Sequence, residues 1–194
     1  MNKAPLMSAL AIVAAAMLIL SCFFPKWLMN EGTQGSVSMG LLSTTECGVA
    51  GIQMVANPTD CVTTDNGLYA QQWKDIQQPS SPAFSACGKA TLVVALLAAL
   101  GLLGAAALGF IKKKPYLKIS PSTIALVGLM LGFITGCVFV ATKPGPNGFV
   151  GIGISFWIFG AGSVLGLVSA IQLSKLNRPV DPDLLDDSMN PADY

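Results

Sequence analysis

The side chains capable of chemistry in this chain are cysteines, serines and carboxylates; there is no histidine. That absence removes the commonest general base and the commonest metal ligand together. The serines have no base to activate them, and every carboxylate lies outside the long apolar stretches, so no nucleophile–base constellation can be drawn. A zinc site, which needs about four ligands, is unsupported, and neither catalysis nor a cofactor is expected. The chemistry left is that of the five cysteines. Cys47 and Cys61 lie in a polar segment, whereas Cys22, Cys87 and Cys137 lie in or at the ends of apolar stretches. On an oxidising side of a membrane Cys47 and Cys61 are the natural disulfide partners, closing a loop of about 15 residues for roughly 3 kcal/mol of stabilisation. The alternative for the same pair is two unpaired small apolar residues. Cys22 and Cys87 fit either a second pair or apolar packing.

The elements that hold these residues follow from composition. Of 194 residues, 53% are hydrophobic and 11% charged, less than half the roughly 25% charge of a soluble domain. A net charge of +1 leaves no electrostatic footprint for nucleic acid. Four apolar stretches, near residues 5–24, 88–111, 119–142 and 149–173, reach the length of about 20 residues that spans a hydrocarbon core. The expected fold is an all-α transmembrane four-helix bundle with a small disulfide-pinned extracellular β-sheet between spans one and two. The membrane unit covers residues 1–176, and an acidic tail of residues 177–194, with its prolines, is expected to be disordered.

Seven basic residues (Lys3, Lys112, Lys113, Lys114, Lys118, Lys175 and Arg178) fall on one side of the membrane and four (Lys26, Lys74, Lys89 and Lys143) on the other. The richer side faces the cytoplasm, so both termini are inside and the segment 25–86 is outside. Lys3, the apolar run and Ser21-Cys22 resemble a lipoprotein signal, but bulky Leu20 and the length of the run favour a retained first span. In the outer segment, Ser36–Met39 alternates, and 48–56 and 61–64 read as short strands bounded by turn residues. Residues 67–78 read as a short helix.

The order of these features resembles the claudin superfamily, which includes claudins, peripheral-myelin-type proteins and the gamma and AMPA-receptor auxiliary subunits. Its hallmark is a tryptophan, then Gly-Leu-Trp, two residues, a cysteine, about ten residues and a second cysteine. Trp27, Gly40, Leu41, Cys47 and Cys61 match; Leu42 stands where the family has tryptophan, and four residues rather than two precede Cys47. Lys89 is similar to the basic residue at the outer start of the family's second span. Ser155-Phe156-Trp157 within 148–160 is similar in flavour to the glycine- and aromatic-rich start of its fourth. The resemblance implies a four-span fold with a large first outer loop, in a plasma-membrane protein that works through other membrane proteins or copies of itself.

The spans hold no Asp, Glu or Arg, which disfavours an ion or proton pathway through one protomer. Small residues recur at four-residue spacing: Gly101, Ala105 and Gly109 in span two; Gly128, Gly132 and Gly136 in span three; Gly162 and Gly166 in span four. Such stripes admit close helix approach, within the chain or to a partner. The span-three stripe is the best candidate for a partner. The expected function is therefore a non-catalytic accessory or structural subunit of a membrane complex, such as an ion channel or receptor, acting by lateral helix association. The bilayer and another integral membrane protein, or itself, are its partners, with no nucleic acid and no small-molecule substrate. A junctional barrier or paracellular pore is the alternative, with Glu46, Asp60 and Asp65 as an outer electrostatic surface; a small transporter is a minor one. The connection 143–148 is a turn too short for strong adhesion to an opposing cell. Asp181-Pro182-Asp183-Leu184-Leu185 fits either an acidic-dileucine sorting signal or a solvated tail, and Ala192-Asp193-Tyr194 departs from the family's Tyr-Val ending. The run Lys112–Lys114 reads as a topology anchor that also suits anionic lipid.

The orientation has a direct test. Protease added to sealed, right-side-out cells should spare the chain after Leu173; clipping there with the membrane intact would invert the assignment.

Overall fold

The computed structural model describes residues 4–32, 35–48, 52, 60–111 and 120–176. Four helices within them are long and apolar enough to cross a membrane: α1 (Ala4–Phe23), α3 (Ala83–Ile111), α4 (Pro121–Ala141) and α5 (Ile154–Leu176). Strands β1 (Leu28–Gly32), β2 (Gly35–Met39), β3 (Ser43–Gly48) and β4 (Cys61–Asp65) and helix α2 (Asn66–Asp75) separate α1 from α3. β5 (Gly151–Ile152) precedes α5. The chain is an integral membrane four-helix bundle carrying a small sheet at one end. The basic run 112–114, Lys118 and the tail 177–194 lie outside the described residues, as does most of the expected strand 48–56.

In lipid there is no hydrophobic drive between helices, so close packing and a few polar contacts hold the bundle. α4 lies along α3, and α1 packs on both α3 and α5. Alanine and glycine dominate these seams: Ala11, Ala14 and Ala15 of α1, Ala95, Ala98 and Ala99 of α3, and Ala125 of α4 are all buried. Thr91 Oγ1 donates to Thr135 Oγ1 at 2.9 Å, joining α3 to α4. Ser120 caps α4, its hydroxyl accepting from Thr123 N at 3.2 Å with Pro121 in the first turn, an N-terminus suited to proline because its missing N–H has no helical partner there.

The sheet is antiparallel in the order β4-β3-β2-β1-β5. Strand positions 36–39 and 61–64 and the short helix after them agree with the alternation and turn residues. Two boundaries move. α3 begins at Ala83 rather than 88, because Pro82 ends the proline-rich stretch and the Ser81 hydroxyl accepts from Ala83 N at 3.2 Å. The fourth span begins at Ile154 rather than 149, because Gly151 and Ile152 pair with Met29 and Leu28 as a fifth strand. Nothing in so short a run distinguishes a strand from a helix start before its partner is known.

Two glycines let the sheet sit directly on the helices. A Cβ on Gly88 of α3 would stand 2.1 Å from the Leu41 carbonyl oxygen, and one on Gly153 would stand 2.1 Å from that of Lys26. Both obstacles are backbone, which cannot swing aside. Gly160 of α5, by contrast, has no neighbour within 4 Å of such a Cβ. Gly88→Ala should therefore lower stability by about 1–3 kcal/mol or more, the range for overpacking, while Gly160→Ala is neutral or slightly stabilising. Thermal unfolding of the two variants in detergent checks this, and equal melting would reject the close approach.

Candidate functional site

The family-like residues converge where the sheet meets the bundle. Trp27 follows α1 directly and is completely buried. Its Nε1–H donates to the Ser21 carbonyl at 2.7 Å, one of the last carbonyls of α1 without a helical partner. Its ring meets Phe139 of α4 edge-on at 5.9 Å and Phe159 of α5 at 5.0 Å, with Phe156 also at 5.9 Å. Its backbone accepts from Gly153 N at 2.8 Å and donates to Met39 O at 2.9 Å. One side chain thus touches α1, α4 and α5 while its main chain starts the sheet.

Gly40, Leu41 and Leu42 form the β2–β3 turn. Gly40 lies tight against Pro25, Leu41 is buried with its carbonyl on Gly88, and Leu42 is exposed. The turn is held by Asn66, a residue that sequence reasoning missed. The Asn66 side chain donates from Nδ2 to the Gly40 carbonyl at 2.9 Å and accepts from Thr44 Oγ1 at 2.8 Å, and its N–H donates to the Leu42 carbonyl at 3.0 Å. The signal available was the Asp65-Asn66-Gly67 run, which reads as a turn; in the structure Asp65 caps α2, accepting from Gly67 N at 2.7 Å. Cys47 and Cys61 are directly opposed on β3 and β4 and are bonded. Cys22, Cys87 and Cys137 are free, so the second pair does not form.

The outer acidic surface needs correction at Glu46. It is only 2% exposed, its carboxylate accepting from the Tyr69 hydroxyl of α2 and from Ile52 N at 3.2 Å. β3 alternates, with Thr44, Glu46 and Gly48 on its buried side, so period two places the acid inside and the fold supplies donors to satisfy it. Asp65 is half exposed and pairs with Lys89 of α3 at 3.8 Å, and Asp60 is exposed. Lys26 pairs with Glu31 at 3.2 Å. Among the described residues no group of three or more His, Cys, Asp or Glu could hold a metal.

The small-residue stripes are used inside the chain. Gly128 faces Ala98, Gly132 lies beside Phe159 and Val94, and Gly136 lies beside Phe159 and Trp27. The span-three stripe is therefore not an outward partner surface: α4 turns it toward α3 and α5, where the Phe159 ring needs the room. Gly101 faces Ala125, Gly109 faces Ser8 and Leu173, and Ala105 is buried between them in sequence. Gly162 meets Ala14 and Met17 of α1, and Gly166 meets Leu102 and Leu129. What α3 and α4 leave outward is an apolar groove of about 440 Å³ lined by Val94, Leu97, Ile124, Val127 and Leu131, with Gly128, packed on Ala98, at its floor.

No protein-family model matches the chain, and no curated protein matches it.

Burial, and then the Glu46 carboxylate beside it, holds the Tyr69 hydroxyl far above its usual pKa. Unfolded tyrosine ionises near pH 10, so this group's contribution to stability is whole below about pH 10. It is lost as pH rises toward the higher folded value. Melting curves between pH 8 and 11.5 should show stability falling above about pH 10, and Tyr69→Phe should flatten that fall. At neutral pH the same variant, which leaves Glu46 short of a donor, should lose about 1–3 kcal/mol. An unchanged alkaline limb would show that Tyr69 does not titrate with unfolding.

Proposed function

We propose that the chain is a non-catalytic, claudin-like protein of the plasma membrane, with both termini cytoplasmic, that serves as an accessory or structural subunit of a membrane complex. It works by lateral association of its helices. The observation that carries this reading is the outward α3–α4 groove in a bundle whose small-residue stripes are already occupied by its own helices. The interior supports it too: tight alanine and glycine seams, and spanning helices that hold no Asp, Glu or Arg and carry lysine only near their ends (Lys89 and Lys175), give substrate or ion little to follow. A partner helix with a ridge of branched side chains would fill the groove as helices fill one another's grooves elsewhere.

The junctional alternative draws less support. Glu46 is turned inward and Asp65 is engaged by Lys89, so two of its three acidic residues are otherwise occupied. The α4–α5 connection spends Gly151 and Ile152 on strand β5, leaving a short turn for contact with an opposing cell.

Purification from native membrane in mild detergent, with identification of what travels with the chain, tests the proposal. A stoichiometric heterologous membrane protein that is lost in Val127→Trp, at normal yield of the variant, is the expected result. Strands of the chain alone would favour the junctional reading. A chain that travels only with lipid, or a partner indifferent to the groove, would overturn lateral binding through this face.

A further inference from the structure

The sequence holds two Asn-Gly steps, Asn66-Gly67 and Asn147-Gly148. Such a step has a chemistry of its own that needs no enzyme. The glycine nitrogen attacks the asparagine Cγ, ammonia leaves and a five-membered succinimide closes. Water then opens the ring to aspartate, or to isoaspartate, whose backbone runs through the former side chain. Glycine favours the attack because no Cβ crowds its nitrogen or restricts the peptide plane. The reaction requires an amide free to turn, a glycine N–H that no acceptor holds, and water.

The fold withholds all of these from Asn66. Its side chain is buried, with Nδ2 donating to the Gly40 carbonyl at 2.9 Å and Oδ1 accepting from Thr44 Oγ1 at 2.8 Å. The Gly67 N–H donates to the Asp65 carboxylate at 2.7 Å. Turning the Asn66 amide toward Gly67 would break both of its hydrogen bonds in a buried site. Asn147 is the opposite case. It is exposed, and its side chain has no hydrogen-bond partner among the described residues. Phe149 N donates to the Pro146 carbonyl at 3.1 Å, closing a turn with Asn147 and Gly148 at its tip. Gly148 has a φ of +83°, the conformation of the third residue of a type II turn. A Cβ there would meet nothing within 4 Å, so the tip is open. Neither the Asn147 carbonyl nor the Gly148 N–H is hydrogen-bonded among the described residues. The peptide plane between them can therefore turn and bring the nitrogen onto Cγ without breaking a hydrogen bond.

We propose that Asn147 is a site of spontaneous covalent modification, converted through the succinimide to isoaspartate and aspartate, while the fold keeps Asn66 intact beside the same kind of neighbour. The consequence reaches beyond the tip. Isoaspartate adds a backbone carbon and a carboxylate just before Gly148 and Phe149. The Phe149 ring lies on Trp73 of α2 at 5.0 Å, and its carbonyl accepts from Asn30 Nδ2 of β1 at 2.7 Å. On the other flank Gly145 N donates to the Pro79 carbonyl at 2.8 Å. The turn is thus stitched to β1, to α2 and to the link before α3, and conversion of Asn147 loosens that joint as the molecule ages.

Incubation of the purified full chain in detergent at neutral and at mildly alkaline pH, followed by peptide mapping with fragmentation that distinguishes isoaspartate, tests this. Asn147 should gain the mass of water less that of ammonia, with isoaspartate in excess. Conversion should be several times faster at the higher pH, because the attacking nitrogen must lose its proton. Asn66 should stay unconverted over the same period, whereas in guanidinium with the disulfide reduced both sites should convert. Asn147→Gln, whose longer side chain closes a ring far more slowly, should leave the turn unconverted and, after incubation, should melt above the converted wild type. An Asn147 that stays intact in the folded chain overturns the proposal, as does conversion of Asn66 there at the same rate. Equal melting of the two incubated chains overturns the loosening of the joint.

Discussion

The structure depends on one indole. A sheet of polar strands has no reason to sit in a fixed place on a lipid-soluble bundle, because polar loops are as well solvated in one position as in another. Trp27 removes that freedom: its N–H ends α1 by satisfying the Ser21 carbonyl, its ring lies among phenylalanines of α4 and α5, and its backbone starts β1. Burial of a tryptophan is worth several kcal/mol, about 3–5 on truncation to alanine. That is enough to fix the position of a small sheet on the bundle. The glycines beneath it do the complementary work of keeping the distance short.

Around that fixed point the polar groups of the sheet unit are satisfied from within. Asn66 serves three groups of the β2–β3 turn and its neighbour strand; Glu46 accepts hydrogen bonds from Tyr69 of α2 and from the backbone N–H of Ile52. Each would be costly if left alone out of water. The disulfide between Cys47 and Cys61 closes the far edge of the same sheet. The unit is held at its base by an aromatic cluster, in its middle by buried hydrogen bonds and at its edge by a covalent bond.

Much of this could be read from the residues, and the failures share one cause. The four spans are visible because uninterrupted apolarity needs no knowledge of neighbours, and the Cys47–Cys61 bond because polar flanks name the compartment. Strand β5 was not legible: two residues carry no period, and Gly151-Ile152 is a strand only because Leu28 and Met29 are there to pair with. Glu46 was read as surface because acids usually are; its place on the inner face depends on the register of β3. Gly128, Gly132 and Gly136 announced a close contact without saying with what, since spacing along one helix fixes a face but not the direction in which tertiary packing turns it.

The fifth strand has a consequence in time. Leu28 emerges from synthesis with the first span, whereas its partner Ile152 appears only after the third span has been made. The four-stranded part of the sheet has all its strands once β4 has been made, but the edge of β1 stays open until the loop before α5 arrives beside it. Contacts so far apart in sequence form late, because the chain between them must be closed first. The open edge is a temporary template for other strands. Its closure marks the point at which the last hairpin of helices is in place. A chain halted or misinserted after its third span would therefore display a sheet edge that the finished protein hides, giving quality control a feature that distinguishes the incomplete molecule from the complete one.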